Sequence, residues 1–321
     1  MSWKGALLLI GCVCTIAAAN GSAPCHRPFQ DPQTKAADCA RCHGDVHGEW
    51  LDSAHARAFS DPVFQQQLAG CAEPERCMPC HVPASVLDRL GRMPQARTAL
   101  REEGITCVAC HRSSQGMHGP SGIATAAHPT VKDATFRRRG SFGLCRSCHD
   151  TRIADVLPLA REFERGGLLL DDSSCVGCHM PSTQRSGAGP FAAEPAVARR
   201  GRSHRLLGPS DAEFCGSGFL FRVERRGGKY VLVLTNGAGH GIPGLARLRK
   251  FVVRATLQAP GGRELANTEL VLSSEDRLLV DEERYLPLPV ATGAAVVVVR
   301  VDHWYLGKTV ATVLDQTLEL P

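Results

Sequence analysis

The chain has 321 residues, a length that accommodates two domains. It contains 15 cysteines but only 5% aromatic residues, and its formal net charge is +5. This mild charge fits an acidic partner or an anionic substrate, while short basic blocks such as Arg137-Arg138-Arg139 predict solvated surface. The sequence shows no nucleic-acid-binding motif.

The first 19 residues predict a secretory signal peptide. Lys4 supplies a positive charge, and residues 5–19 form an apolar run that is short for a membrane-spanning helix. The small residues Ala17-Ala18-Ala19 predict cleavage, so the mature chain is expected to begin near Asn20 with an extended lead-in over residues 20–38. Lipid attachment at Cys12 is the alternative, because Leu9-Ile10-Gly11-Cys12 resembles a lipoprotein cleavage box.

Five copies of the pentapeptide C-x-x-C-H follow. They are Cys39-Ala40-Arg41-Cys42-His43, Cys77-Met78-Pro79-Cys80-His81, Cys107-Val108-Ala109-Cys110-His111, Cys145-Arg146-Ser147-Cys148-His149 and Cys175-Val176-Gly177-Cys178-His179. This pattern is typical of covalent haem c attachment, in which the two thiols bond to the porphyrin and the histidine ligates the iron. Zinc knuckles pair to close four ligands, and five motifs would leave one unpaired. The sequence therefore predicts five haem c groups, each with one of these histidines as the proximal ligand.

Residues 39–215 are expected to form a mainly helical and irregular pentahaem cytochrome domain. The first cysteines of the motifs alternate between spacings of 38 and 30 residues, which suggests a duplicated two-haem unit and porphyrins packed near one another. Helical patterns run over 45–59, 84–103 and 151–165. Because large apolar side chains are few, the porphyrins are expected to supply much of the core.

Residues 216–321 predict a small antiparallel β-sandwich-like domain. Patterns rich in β-branched residues run over 219–223, 230–234, 250–258, 264–272, 294–302 and 309–318. Arg225-Arg226-Gly227-Gly228 and Ala259-Pro260-Gly261-Gly262 lie between successive strands and predict hairpins.

Eight histidines lie outside the motifs, enough to supply a second axial ligand to each iron. They are His26, His47, His55, His118, His128, His204, His240 and His303. Each has the alternative of a surface or hydrogen-bonding role. The second ligand decides between carrier and catalyst, because an iron with two protein ligands has no open site.

The first motif, followed by Trp50-x-x-Ser53-x-His55-Ala56, resembles the opening of the tetrahaem electron carriers of nitrifiers and their hydroxylamine-oxidoreductase-like relatives. Gly104 to His111 with His118-Gly119-Pro120 resembles their third motif region. Arg202-Ser203-His204 resembles a ligand-bearing segment of these relatives. Asn236 to Pro243 resembles their G-H-x-x-P-T-G segment, although Gly244 replaces the threonine. The resemblance covers roughly residues 39–245, and the chain departs from it by carrying five motifs.

The resemblance implies that His55 is a distal haem ligand. The other distal candidates, in order of preference, are His240, His204, His118 and His128. His47 is a reserve and Met117 an alternative ligand, whereas His303 lies between strands and is expected to be structural. Cys71 and Cys215 are candidates for a disulfide with each other or with Cys25, and any such pair leaves one of the three thiols over.

Three functions remain open. The first is a periplasmic electron carrier with mostly bis-histidine haems and, by resemblance, low potentials. The second is a haem enzyme acting on small nitrogen compounds. Nitrite-reducing relatives use a C-x-x-C-K haem, which this sequence lacks. Hydroxylamine-oxidising relatives use a haem-linked tyrosine. The tyrosines here, Tyr230, Tyr285 and Tyr305, all lie in the β-rich tail. These two absences favour the carrier.

The third function assigns the β-rich tail to docking or assembly in a larger redox complex, by analogy with other β-sandwiches. Expected partners are redox proteins in the periplasm or at the inner or outer membrane.

Overall fold

A computed structural model describes residues 34–123, 127–137, 141–153, 156–166, 174–185, 199–244 and 248–321, without the side chain of Arg199. The expected signal peptide, the lipid-attachment alternative at Cys12, most of the lead-in, and Cys25 and His26 lie outside these ranges. Within the described ranges, no helix is long and apolar enough to cross a bilayer.

The segment that carries the C-x-x-C-H motifs is built from short helices joined by loops. Its α-helices are α1 (Ala36–Ala40), α2 (Gly44–Leu51), α3 (Pro62–Ala69), α4 (Met78–His81), α5 (Cys107–His111), α6 (Ser141–His149), α7 (Leu159–Arg165), α8 (Cys175–His179) and α9 (Ala212–Gly216). Single 3₁₀ turns lie at Pro74–Arg76, Leu87–Arg89, Arg101–Glu103 and Ala134–Phe136. The short strands are β1 (Arg112–Ser113), β2 (Gly116–Gly119), β3 (Thr130–Lys132), β4 (Ser182–Arg185) and β5 (Arg199–Arg202).

The three helices predicted from periodicity are wrong in extent. The helix predicted over 45–59 ends at Leu51 and continues as turns, so His55 lies beyond it. The prediction over 84–103 fails because Gly91 adopts a φ of 74° and Pro94 cannot donate a helical hydrogen bond. The helix predicted over 151–165 begins only at Leu159, directly after Pro158.

The C-terminal part is β-rich, as predicted. Its strands are β6 (Phe219–Arg226), β7 (Lys229–Asn236), β8 (Arg249–Gln258), β9 (Glu264–Leu272), β10 (Glu283–Pro287), β11 (Val296–Tyr305) and β12 (Lys308–Glu319). They form two antiparallel sheets of order β10-β7-β6 and β12-β11-β8-β9. The sequence missed the short strand β10 but located the other six.

Both predicted hairpins are present. In the β6–β7 turn, Gly227 and Gly228 have φ angles of 55° and 76°, a left-handed conformation that glycine adopts without a steric penalty. Buried side chains of both sheets, including Leu232, Val253 and Val299, share one hydrophobic core. The finer description of this part as a β-sandwich stays a prediction.

Buried apolar side chains are distributed unevenly. The largest cluster lies in the β-rich part. In the motif-bearing segment the clusters are small: one contains Ala36, Trp50 and Ala56, and another contains Phe142, Ala160 and Phe163. The motif-bearing segment therefore has little core of its own.

Candidate haem-binding site

Each C-x-x-C-H motif lies on or just after a short helix. In the first motif the His43 amide donates to the Cys39 carbonyl at 2.9 Å, and in the second the His81 amide donates to that of Cys77 at 3.2 Å. One helical turn brings the two cysteines, three residues apart, to the same side of the helix. The histidine follows directly, so the two sulfurs and one imidazole of each motif lie next to one another.

Three of the motif histidines are oriented by hydrogen bonds from Nδ1 to backbone carbonyls. The acceptors are Ala58 O for His81 at 2.5 Å, His118 O for His111 at 2.8 Å, and Leu207 O for His179 at 2.6 Å. An imidazole that donates through Nδ1 keeps the lone pair on Nε2, the atom that ligates a metal. These residues therefore fit the role of proximal haem ligands.

Three imidazole pairs face one another across a gap of constant size. The ring centroids are 6.3 Å apart for His55 and His149, 6.2 Å for His111 and His204, and 6.2 Å for His179 and His240. Two metal–nitrogen bonds of about 2.0–2.1 Å each, plus the two half-rings, span about 6 Å. Each pair combines one motif histidine with one distal candidate, so the spacing fits two axial ligands of one iron.

For His55, His149 and His204, burial favours the neutral imidazole that a metal requires. Burial, and secondarily the neighbouring imidazoles, lowers the pKa of His55 and of His149 to about 4. Burial, followed by the charge of His111, lowers the pKa of His204 to about 4. Only a neutral imidazole has a lone pair for iron, and burial keeps these rings neutral near pH 7.

His204 and His240 have the same Nδ1 arrangement as the motif histidines. Nδ1 of His204 lies 3.0 Å from Arg202 O, and Nδ1 of His240 lies 3.1 Å from Gly241 O. His128 lies close enough to His43 for its charge, after burial, to lower the pKa of His43. The structure thus brings His55, His204 and His240 each to face a different motif histidine, and it places His128 within electrostatic range of His43.

The remaining distal candidate, His118, has a different environment. Its Nδ1 lies 2.7 Å from Asp133 Oδ2, and its Nε2 lies 2.6 Å from Ser113 Oγ. Both ring nitrogens therefore have partners, and this arrangement offers neither to an iron. The hairpin of β1 and β2 folds the residue back on its own motif, where its backbone carbonyl orients His111.

Among the described residues, no ring contact and no charge effect links His81 to another histidine. The Phe64 ring stacks on that of His81, with centroids 3.6 Å apart and an angle of 7° between planes. Met93 Sδ lies 3.7 Å from Cys80 Sγ of the same motif. The sequence did not single out Met93 or Phe64, because neither occurs in a recognisable motif.

The motifs contact one another, but not simply in chain order. The thiol of Cys39 contacts that of Cys107, and Cys80 contacts Cys148. Cys145 in turn contacts Cys175. The first motif therefore adjoins the third, and the fourth adjoins both the second and the fifth. The fourth and fifth motifs adjoin in chain order, whereas the other two contacts skip a motif; that the porphyrins pack near one another stays a prediction.

The other singled-out residues lie elsewhere. His303 lies within β11 and not between strands as predicted; it is fully buried and stacked on Phe251, with Arg249 donating to its Nε2 at 3.2 Å, an environment that fits a structural residue. His47 contacts Trp50 on α2. Met117 lies in β2, opposite Arg112.

The spare cysteines do not pair with each other. Cys71 is an exposed free thiol, and Cys215 is a partly buried one whose sulfur lies 3.5 Å from Gly208 O. The alternative of a Cys71–Cys215 disulfide is therefore absent from the structure. Pairing of either residue with Cys25 involves a residue outside the described ranges.

The segment bearing His55 is held by a close backbone approach. Gly104, with a φ of 60°, lies so near that a Cβ there would be 2.5 Å from His55 O and 2.8 Å from Ala56 O. The next amide, of Ile105, donates to His55 O at 2.9 Å, and Trp50 Nε1 donates to Ile105 O at 2.8 Å. Glycine at position 104 thus determines where His55 lies.

We expect Gly104→Ala to destabilise the protein by about 1–3 kcal/mol, since alanine is strained at this φ and its Cβ has no space. Thermal unfolding of the haem-loaded protein measures the loss, and low-spin haem spectra report displacement of His55. Gly48→Ala is the matched control, because a Cβ added at this helical glycine would meet nothing within 4 Å. Equal stability of the two variants would contradict the prediction.

Comparison with known proteins adds two findings. Residues 38–112 match the family described as cytochrome c554 and c-prime, a range that contains the first three motifs. The fold matches the crystal structure of a penta-heme cytochrome c552 from Thermochromatium tepidum, with a TM-score of 0.61 and 16% identity over 90% of this chain and 99% of that one. No curated protein matches.

The motifs and these matches together support a multihaem c-type cytochrome. The residues expected to hold the porphyrins are the motif cysteines and histidines, which lie beside distal candidates supplied by loops far along the chain. The match to a five-haem structure extends over both the motif-bearing segment and the β-rich part. At 16% identity it shows a common fold.

Proposed function

We propose that this cytochrome is an exported, periplasmic electron carrier with five covalent haem c groups, most of them held between two imidazoles. The observation that carries the proposal is the set of three facing histidine pairs with centroids 6.2–6.3 Å apart. Haem iron supplies one-electron exchange between its ferric and ferrous states. The two imidazoles of each pair would hold the iron between them and would leave it without an open site for a substrate.

The proposed distal ligands are assigned by proximity to the motif histidines. His128 serves the first motif, His204 the third, His55 the fourth and His240 the fifth. Contacts between the motif cysteines would place neighbouring cofactors close enough for successive electron transfer. The donors and acceptors are proposed to be redox proteins of the periplasm or of either membrane, and assembly in a larger redox complex is an alternative.

A second candidate function rests on the second motif. Among the described residues no ring contact and no charge effect links His81 to another histidine, and its surroundings include Phe64 and Met93. An iron bound there without a second histidine would be the place for an enzyme acting on nitrite or hydroxylamine.

Turnover separates the two functions. The reduced, haem-loaded cytochrome is supplied with an artificial electron donor and either nitrite or hydroxylamine, and carbon monoxide binding is titrated in parallel. The carrier proposal predicts that at least four irons per chain do not bind carbon monoxide and that neither nitrite nor hydroxylamine is turned over in a sustained way. Catalytic turnover, together with one carbon monoxide-binding iron per chain, would overturn it in favour of the enzyme.

A further inference from the structure

Two distal candidates, His204 and His240, are held in the same way: a glutamate–arginine ion pair forms hydrogen bonds with the backbone beside the histidine. We propose that Glu49 with Arg185, and Glu162 with Arg277, are positioning residues that orient His204 and His240 towards the irons of the third and fifth motifs. This inference rests on the proposed function, in which these two histidines are distal ligands. No sequence motif marks the four residues.

The first pair grips the His204 loop, residues 202–205. Glu49, on α2, accepts the amide N–H of His204 at 2.7 Å through Oε2. Arg185, at the end of β4, forms an ion pair with the same carboxylate and donates to Arg202 O at 2.9 Å. The Arg185 side chain is only 12% exposed, so the pair is largely shielded from water.

The second pair grips the His240 loop, residues 237–243. Glu162, on α7, accepts the amide N–H of Gly241 at 3.1 Å. Arg277 donates to both carboxylate oxygens, at 2.6 and 2.8 Å, and to the carbonyls of Gly241 and Pro243 at 2.9 and 2.8 Å. Its side chain is 8% exposed. This pair joins a helix of the motif-bearing segment to the β-rich part.

The two pairs share one logic. In each, the carboxylate accepts a hydrogen bond from the N–H of the histidine or of the next residue. The arginine donates to a nearby carbonyl, so both the N–H and the carbonyl groups of the loop are bound. Charged groups make stronger and better-directed hydrogen bonds than neutral ones, and the planar guanidinium fixes geometry. The ring centroids of His204 and His240 lie 6.2 Å from those of His111 and His179, respectively. His55, by contrast, is held by the neutral backbone amide of Ile105.

The buried charges have a second consequence. A carboxylate near an iron favours the ferric state, because that state carries one more positive charge, and a guanidinium disfavours it. The effects of the two partners nearly cancel while the pair is intact. Removing the carboxylate leaves an uncompensated cation, whereas removing the guanidinium leaves an uncompensated anion. The reduction potential of the adjacent haem should therefore move in opposite directions.

The test uses full-length, haem-loaded protein with Glu162→Gln, Arg277→Gln and Glu49→Gln. Glu162→Gln should raise and Arg277→Gln lower the potential of the fifth-motif haem, and each should alter its low-spin spectrum. Exchange of His240 for added cyanide should become about tenfold faster, as expected for a lost charged hydrogen bond. Glu49→Gln should change only the third-motif haem. Glu269→Gln, which breaks an exposed ion pair with Arg254, is the matched control and should change no haem.

His204→Ala and His240→Ala identify which signal belongs to which haem and separate the two levels of the argument. If they open no iron, the ligand assignment of the proposed function fails. If they open one iron each, two results would overturn the positioning role. One is that the glutamine variants leave the potentials and exchange rates unchanged. The other is that Glu162→Gln and Arg277→Gln shift the potential of the same haem in the same direction. Should Arg277→Gln fail to fold, Arg277→Lys replaces it: it keeps the charge but loses the two-pronged contact. Faster cyanide exchange supports the role, and an unchanged rate refutes it.

Discussion

Replacing His240 by alanine should convert one iron of the haem-loaded protein from low to high spin and create one additional carbon monoxide-binding site in the reduced protein. His240 lies in the β-rich part, yet its ring faces that of His179 at 6.2 Å with an angle of 15° between planes. The His240 loop is anchored through its backbone, because the Gly241 N–H donates to Glu162 and the Gly241 carbonyl accepts from Arg277. Loss of the imidazole removes a ligand without removing these contacts, so the protein should still fold.

His118→Ala is the matched control for this prediction. The sequence placed both histidines among the distal candidates, but the ring nitrogens of His118 are already bonded to Asp133 and Ser113. We expect its replacement to leave the number of low-spin haems unchanged. A high-spin signal from His118→Ala, or an unchanged low-spin spectrum from His240→Ala, would contradict the ligand assignment.

Protein expressed without the cytochrome c assembly machinery should lack a folded motif-bearing segment. Its apolar clusters are small groups such as Phe142, Ala160 and Phe163, whereas the β-rich part has an extensive core. The burial of so few apolar side chains cannot offset the conformational entropy that a segment of this length loses on folding. Covalent porphyrins would supply the missing apolar surface.

Limited proteolysis with mass spectrometry measures this effect. In haem-free protein we expect cleavage throughout residues 39–215 and survival of a fragment that covers roughly 216–321. Protein produced with the assembly machinery is the control and should resist cleavage in both parts. A cooperative thermal transition and protease resistance of residues 39–215 without haem would refute the prediction.

The β-rich part was the more predictable half of the fold. Strands such as β8 and β11 consist largely of β-branched and other apolar residues, and glycine pairs such as Gly227-Gly228 mark the turns between strands. These signals are local, so a sequence window contains them. The helices were less predictable, because the short motif-bearing turns are stabilised by distant contacts and because the helical apolar pattern was followed across Pro94 and Pro158, which interrupt it.

The candidate site divides in the same way. The cysteines and proximal histidines can be read from the pentapeptides alone, since attachment chemistry fixes their spacing. Pairing of His149 with His55, or of His179 with His240, depends on long-range packing that leaves no local signal. The same holds for Glu162 and Arg277, which are 115 residues apart. The hydrogen-bond partners of His118, Ser113 and Asp133, likewise become recognisable only once the β-strands are in place.

The mass of the intact, denatured mature protein tests the central claim most directly. Covalent haem stays attached on denaturation, so each loaded Cys-x-x-Cys pair adds one haem to the polypeptide mass. We predict a mass corresponding to five haems, with peptides mapping one to each pair from Cys39-Cys42 to Cys175-Cys178. Four or fewer haems on a full-length mature chain would contradict the account.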